Sequence, residues 1–120
     1  MIGSEGTLGF IAEITYHTVV EHAHKASALV FFADVAAACE AVARLKSEPV
    51  DAVEIMDRAA LNSVADQPAV SGELATLPDQ AAALLIETRA GSAADLAENV
   101  AHVTASLGEV RMLGGVKFTD

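Results

Sequence analysis

Apolar and polar positions alternate between two periods along this chain, and that switching predicts its elements. Phe10 to Val20 is rich in β-branched and aromatic residues, which predicts an extended strand. Glu21 to Lys25 breaks the pattern and reads as a linker. The apolar run Ser27 to Ala33 has strand length and predicts a central strand. Asp34 can cap a following helix whose stripe is Val35, Ala38, Cys39, Val42 and Leu45, ending before Pro49. This stripe predicts a buried, inert Cys39 thiol. Val50 to Met56 predicts a second strand, and Asp57 the cap of a short helix carrying Leu61 and Val64.

Asp66 to Gln80, with Pro68, Gly72 and Pro78, predicts a long loop. The scheme then repeats. Ala81 to Thr88 is a third strand, and Ser92 with Asp95 forms a capping-box sequence. Leu96, Val100, Val103 and Leu107 make a helical stripe closed by Gly108, here expected as the residue just past the helix. Val110 to Phe118 supplies a last strand, interrupted by Gly114-Gly115. Two β-α-β halves of this length predict an α+β domain, a ferredoxin-like antiparallel sheet with helices on one face, preceded by an N-terminal extended segment. The expected boundary puts residues 1–24 in one unit and 25–120 in another.

Composition narrows the function. The chain carries 17 acidic against 7 basic residues, a net charge of −10, which disfavours nucleic acid and anionic membrane surfaces as partners. No apolar run is long enough to span a bilayer, and no secretory signal pattern opens the chain. One lone cysteine fits a reducing cytoplasm. Hydrophobic residues make up 52% of the chain, but many are alanine, so each buries little area.

Gly3-Ser4-Glu5-Gly6-Thr7-Leu8-Gly9 is the most informative stretch. Three glycines in seven residues imply unusual backbone or close approach to another group. The order is neither a P-loop nor a Rossmann fingerprint. By spacing alone, a plain turn and a ligand-cradling loop both fit. Elsewhere, His22 and His24 fit a solvated linker better than a metal pair, and His17 and His102 fit surface positions. Asp57 reads as a cap rather than as half of a carboxylate pair with Glu54. Ser63, Ser71 and Ser92 lack a neighbouring base in sequence, so a Ser-His-Asp site has no support.

The run IGSEGTLGFIAE, Ile2 to Glu13, resembles the segment that closes the FAD-binding domain of FAD-linked oxidases, the D-lactate and D-2-hydroxyglutarate dehydrogenase family. Ala28 to Phe32 with Asp34, Val53 to Arg58, and Ala83 to Thr88 resemble strands of that family's C-terminal (cap) domain. The resemblance implies FAD as cofactor, contacted by Gly3, Ser4, Glu5, Gly6, Thr7, Leu8 and Gly9. It also implies a small D-2-hydroxy acid as substrate of an intact parent enzyme. It is nearest to bacterial members fused to an iron–sulfur part, so a cluster elsewhere in the parent is a further expectation. The family's substrate-binding Arg and Lys, and its segment of the form H-x-G-D-G-N-x-H, have no counterpart here. No catalytic residue or metal ligand therefore carries over, and the chain is expected to be an inactive part of that enzyme. Its unpaired strand edges predict homo-oligomers. The same layout also fits a free-standing ferredoxin-like module that binds a small molecule or dimerises.

Overall fold

The computed structural model describes residues 1–67 and 71–119; Pro68, in the predicted long loop, lies outside the described residues. In chain order the elements are β1 (His24–Phe32), α1 (Val35–Leu45), β2 (Ala52–Met56), α2 (Arg58–Asn62), α3 (Ser71–Leu74), β3 (Ala82–Ala90) and α4 (Ala93–Leu107). The three strands lie in the order β1-β3-β2, and both pairings are antiparallel. This is the α+β class that the period switching predicts, with a split β-α-β at its centre.

Local chemistry starts each helix where the sequence places it. The Ala37 N–H donates to Asp34 Oδ1 at 2.8 Å, opening α1. The Ala60 N–H donates to Asp57 Oδ1 at 2.8 Å, opening α2, so Asp57 is a cap. At α4 the Asp95 N–H donates to Ser92 Oγ at 3.2 Å. Each of these satisfies a backbone donor that the first helical turn leaves unpaired.

Strand alternation sorts the side chains into two layers. Ala28, Val30 and Phe32 of β1 and Ala82, Leu84 and Ile86 of β3 face α1 and α4, forming the main core with Leu45, Val103 and Leu107. On the opposite face Phe31 and Ala83 pack against Leu61 of α2 and Leu74 of α3. The two long helices thus share one face, while the two short ones cover only one end of the other. Thr88 is the one buried polar residue among those described, and its hydroxyl donates to the Pro49 carbonyl at 2.7 Å.

The structure differs from the sequence reading at five places. His24 and Lys25, expected in a linker, open β1, and the expected loop from Asp66 to Gln80 holds α3 (Ser71–Leu74). Residues 10–20 form no strand: they make no ladder among the described residues, and Phe10, Tyr16, Val19 and Val20 are exposed. Propensity alone does not make a strand: the segment has to dock on an edge, and it docks on neither β1 nor β2. Cys39 is exposed rather than buried, because α1 turns Ala38, Ala41 and Leu45 inward and leaves Val35, Cys39 and Val42 outward. The predicted last strand is reduced to two isolated bridges with β1, Ser27 to Thr119 and Phe31 to Leu113.

Candidate functional site

The glycine run folds into two successive turns. The Ser4 N–H donates to the Met1 carbonyl at 3.2 Å, with Gly3 at φ +77°. The Thr7 N–H then donates to the Ser4 carbonyl at 2.9 Å, and the Thr7 hydroxyl donates to the same oxygen at 2.6 Å. Between them Glu5 and Gly6 take φ +48° and +82°, the paired positive angles of a type I′ turn. Holding a non-glycine residue such as Glu5 left-handed costs about 1–2 kcal/mol. A Cβ built at Gly3 or Gly6 meets nothing within 4 Å, so the glycines answer to dihedral demand and not to crowding within the chain. Leu8 is exposed, and Gly9 packs only on the Met1 side chain, 3.4 Å from a Cβ position. The loop therefore presents bare, approachable backbone: the Glu5 and Gly6 N–H groups donate to no backbone carbonyl among the described residues.

A second feature lies on the sheet face that the long helices leave free. An open cleft of about 730 Å³ runs between β1 (Ser27, Leu29, Phe31), the connection from α3 to β3 (Thr76, Leu77) and residues 113–119. No residue of Gly3 to Gly9 lines it. Sequence reasoning missed this cleft; its one visible signal is the Gly114-Gly115 pair interrupting an otherwise strand-like run.

A charged string crosses the same face at its other end. Arg89 Nε donates to Glu87 Oε1 at 2.7 Å, Lys25 lies 4.0 Å from Glu87, and Glu21 lies 3.8 Å from Arg89. The Arg89 hydrogen bond, more than the nearby charges of Arg89 and Lys25, holds the Glu87 carboxyl below its ordinary value of 4.5. A carboxyl with a lowered folded-state pKa contributes stability above the ordinary value and loses it as pH falls through the folded value. The difference in stability between the native chain and Glu87→Gln should therefore be present at pH 7 and shrink below pH 4.5, which urea denaturation across that range would reveal. An unchanged difference down to pH about 2 would contradict it.

Elsewhere, Arg44 pairs with Glu109 at the surface. His17 is exposed, and His102 Nε2 lies 3.9 Å from Glu98 on the surface of α4. Among the described residues no group of three or more His, Cys, Asp or Glu is placed to hold a metal ion. No helix of the described residues is long and apolar enough to cross a membrane.

Residues 21–118 match the family described as FAD linked oxidases, C-terminal domain. No curated protein and no solved structure matches the chain. The cofactor that this family implies can be tested against the residues present. The exposed turn fits contact with a flat, largely neutral part of FAD, since its backbone is open and carries unpaired N–H donors. It does not fit the pyrophosphate: residues 1–24 contain no Lys or Arg, and Glu5 sits at the centre of the turn. These residues can form one wall of a flavin site, with the phosphates held elsewhere. The match covers most of the chain and agrees with its sheet and helices, and the chain belongs to the FAD linked oxidases through their C-terminal domain, a family of FAD-dependent oxidoreductases.

Proposed function

We propose that this chain is the cap portion, with one flavin-facing loop, of an enzyme that oxidises a small D-2-hydroxy acid of the D-lactate or D-2-hydroxyglutarate type. The observation that carries the reading is the family match over residues 21–118; ahead of it, beyond residues 10–20, lies a loop with bare backbone turned left-handed at Gly3 and Gly6. Bound FAD supplies the two-electron acceptor, and the protein supplies orientation and exclusion of water. In this reading the backbone from Gly3 to Gly9 lies against the cofactor, while the sheet closes over the substrate. The chain alone lacks a cation set for the pyrophosphate, so it is inactive by itself. The exposed apolar groups between Leu8 and Val20 support burial against further protein, in the parent or in a second copy.

The test is made on the parent polypeptide, expressed with its flavin-binding portion. Anaerobic addition of D-lactate or D-2-hydroxyglutarate should bleach the flavin absorbance in one of the two cases, and the L-enantiomers should not. The 120-residue chain, purified alone, should be colourless. A parent that binds no flavin, or whose flavin is bleached by neither acid, would overturn the proposal.

A further inference from the structure

Helix α1 is apolar on two sides. Its inward row, Ala38, Ala41 and Leu45, is buried against the sheet. Its outward row, Val35, Cys39 and Val42 with Ala36 and Ala43 beside it, carries no charge and faces solvent. Val35 is 43% and Val42 37% exposed. At about 100° per residue these five positions form a stripe about 120° wide, as broad as the stripe a surface helix turns to its core. A helix that is apolar nearly all round is covered nearly all round, so the outward stripe calls for a partner.

The order of residues along the stripe selects that partner. Around Cys39 the stripe is symmetric in position and complementary in size: Val35 and Ala43 lie four residues to either side, and Ala36 and Val42 three. Turned end for end about Cys39, a second copy of α1 sets its Ala43 level with Val35 and its Ala36 level with Val42. Each valine then meets an alanine, so the larger side chain fills the space the smaller one leaves. A parallel copy in register sets valine on valine and alanine on alanine. Charge favours the same order. The chain carries −10 overall, which opposes self-association, but α1 and its caps are balanced, with Asp34 and Glu40 against Arg44 and Lys46. End-for-end pairing brings the basic end of each helix beside the Asp34 end of the other, whereas parallel pairing stacks Lys46 on Lys46. Arg44 is turned to Glu109, and Glu40 stands about 100° round from Cys39, so neither charge enters the contact.

We propose that the outward face of α1 is a self-recognition surface, through which two copies of this chain pair antiparallel about a two-fold axis at Cys39. A contact of this kind closes on itself and gives a dimer rather than a filament. One pair of short helices buries less than the roughly 800 Å² per partner of a standard interface, so the dimer is weak, with a Kd on the order of 0.1–1 mM. Packed helices lie about 8–10 Å apart and each Cα stands about 2.3 Å from its axis, which leaves about 3.4–5.4 Å between the two Cys39 Cα atoms. The upper part of that range overlaps the spacing of about 4.4–6.8 Å that a disulfide spans. Cys39 therefore reports the contact without being needed for it. No residue from Gly3 to Gly9 takes part, so failure of the dimer leaves the flavin reading in place.

The experiment is sedimentation equilibrium of the reduced 120-residue chain, with disulfide trapping as a second readout. The average mass should rise from monomer toward dimer between about 0.02 and 2 mM. Val42→Glu puts a charge into the stripe and should weaken the dimer at least about tenfold, while Phe10→Ser, at an exposed apolar position outside it, should not. Ala43→Val alone should weaken pairing, and adding Val35→Ala, which again sets valine against alanine, should recover most of the loss. Orientation is read in a Cys39→Ala background. Chains carrying Val35→Cys, mixed with chains carrying Ala43→Cys, should crosslink to each other under diamide far more than either does to itself. Diamide oxidises the two thiols to a disulfide, its N=N bond taking up both protons and both electrons. All of these positions are exposed, so the substitutions test pairing and not folding. A chain still monomeric at about 2 mM, a dimer insensitive to Val42→Glu, or crosslinks with no preference for the mixed pair would each overturn the proposal.

Discussion

Phe32→Ala should destabilise the domain by about 3–5 kcal/mol, a large share of its total stability. The expectation comes from how unevenly the core is built. Buried positions between the sheet and the long helices are often alanine: Ala28, Ala38, Ala41 and Ala82 are all inaccessible. Each buries little area, so the few large side chains carry most of the apolar burial. Phe32 is the largest of those fully buried, at 0% exposure at the end of β1. Truncating it removes the ring and leaves a cavity that backbone-close alanine packing cannot collapse to fill. A chain of this length has a total stability of about 6–18 kcal/mol. Thermal unfolding should show a fall in Tm on the order of 10–20 °C. Phe10→Ala is the matched control, because Phe10 is 92% exposed and should change stability by less than about 0.5 kcal/mol. Similar effects at the two positions would mean that the core is not where the structure puts it.

The same unevenness explains what the sequence disclosed. Caps were legible because Asp34, Asp57 and Ser92 act within three residues of themselves, needing no tertiary information. The centres of β1 and β3 were legible because continuous apolar runs of strand length have few other uses. Cys39 was misplaced because α1 is apolar nearly all round. With Val35, Ala38, Ala41, Val42 and Leu45 on offer, periodicity does not say which row turns inward, and alanines won by letting the helix sit close to the sheet. Gly108, expected just past the helix, caps α4 at φ −59°, its N–H reaching the Thr104 and Ala105 carbonyls while the backbone is still right-handed. Residues 10–20 show the limit of propensity: strand-forming residues make a strand only where they pair, and these pair with neither edge strand of the sheet among the described residues. Of the candidate sites, the glycine loop announced itself through its three glycines. The cleft did not, because it depends on where residues 113–119 meet β1, and that register appears only when both segments are in place.

Gly6→Ala in the parent enzyme should weaken FAD retention by roughly 5- to 150-fold, with little change in the stability of the isolated chain. Gly6 sits at φ +82° in the second turn, so a Cβ there carries strain of about 1–3 kcal/mol although no protein atom lies within 4 Å of it. In the chain alone the exposed loop can relax without disturbing the core, and the strain is not felt in global unfolding. Cofactor pressed against the loop would hold the turn in place and bring the added methyl group into contact, so the strain appears as lost affinity. The direct measurement is the ratio of flavin to protein in purified parent Gly6→Ala after dialysis, set beside the unsubstituted parent. The expected result is a parent variant depleted of FAD and an isolated chain whose Tm is unchanged by the same substitution. Full FAD occupancy in the variant, or a large loss of stability in the isolated chain, would show that Gly3 to Gly9 is a structural turn and not a wall of the flavin site.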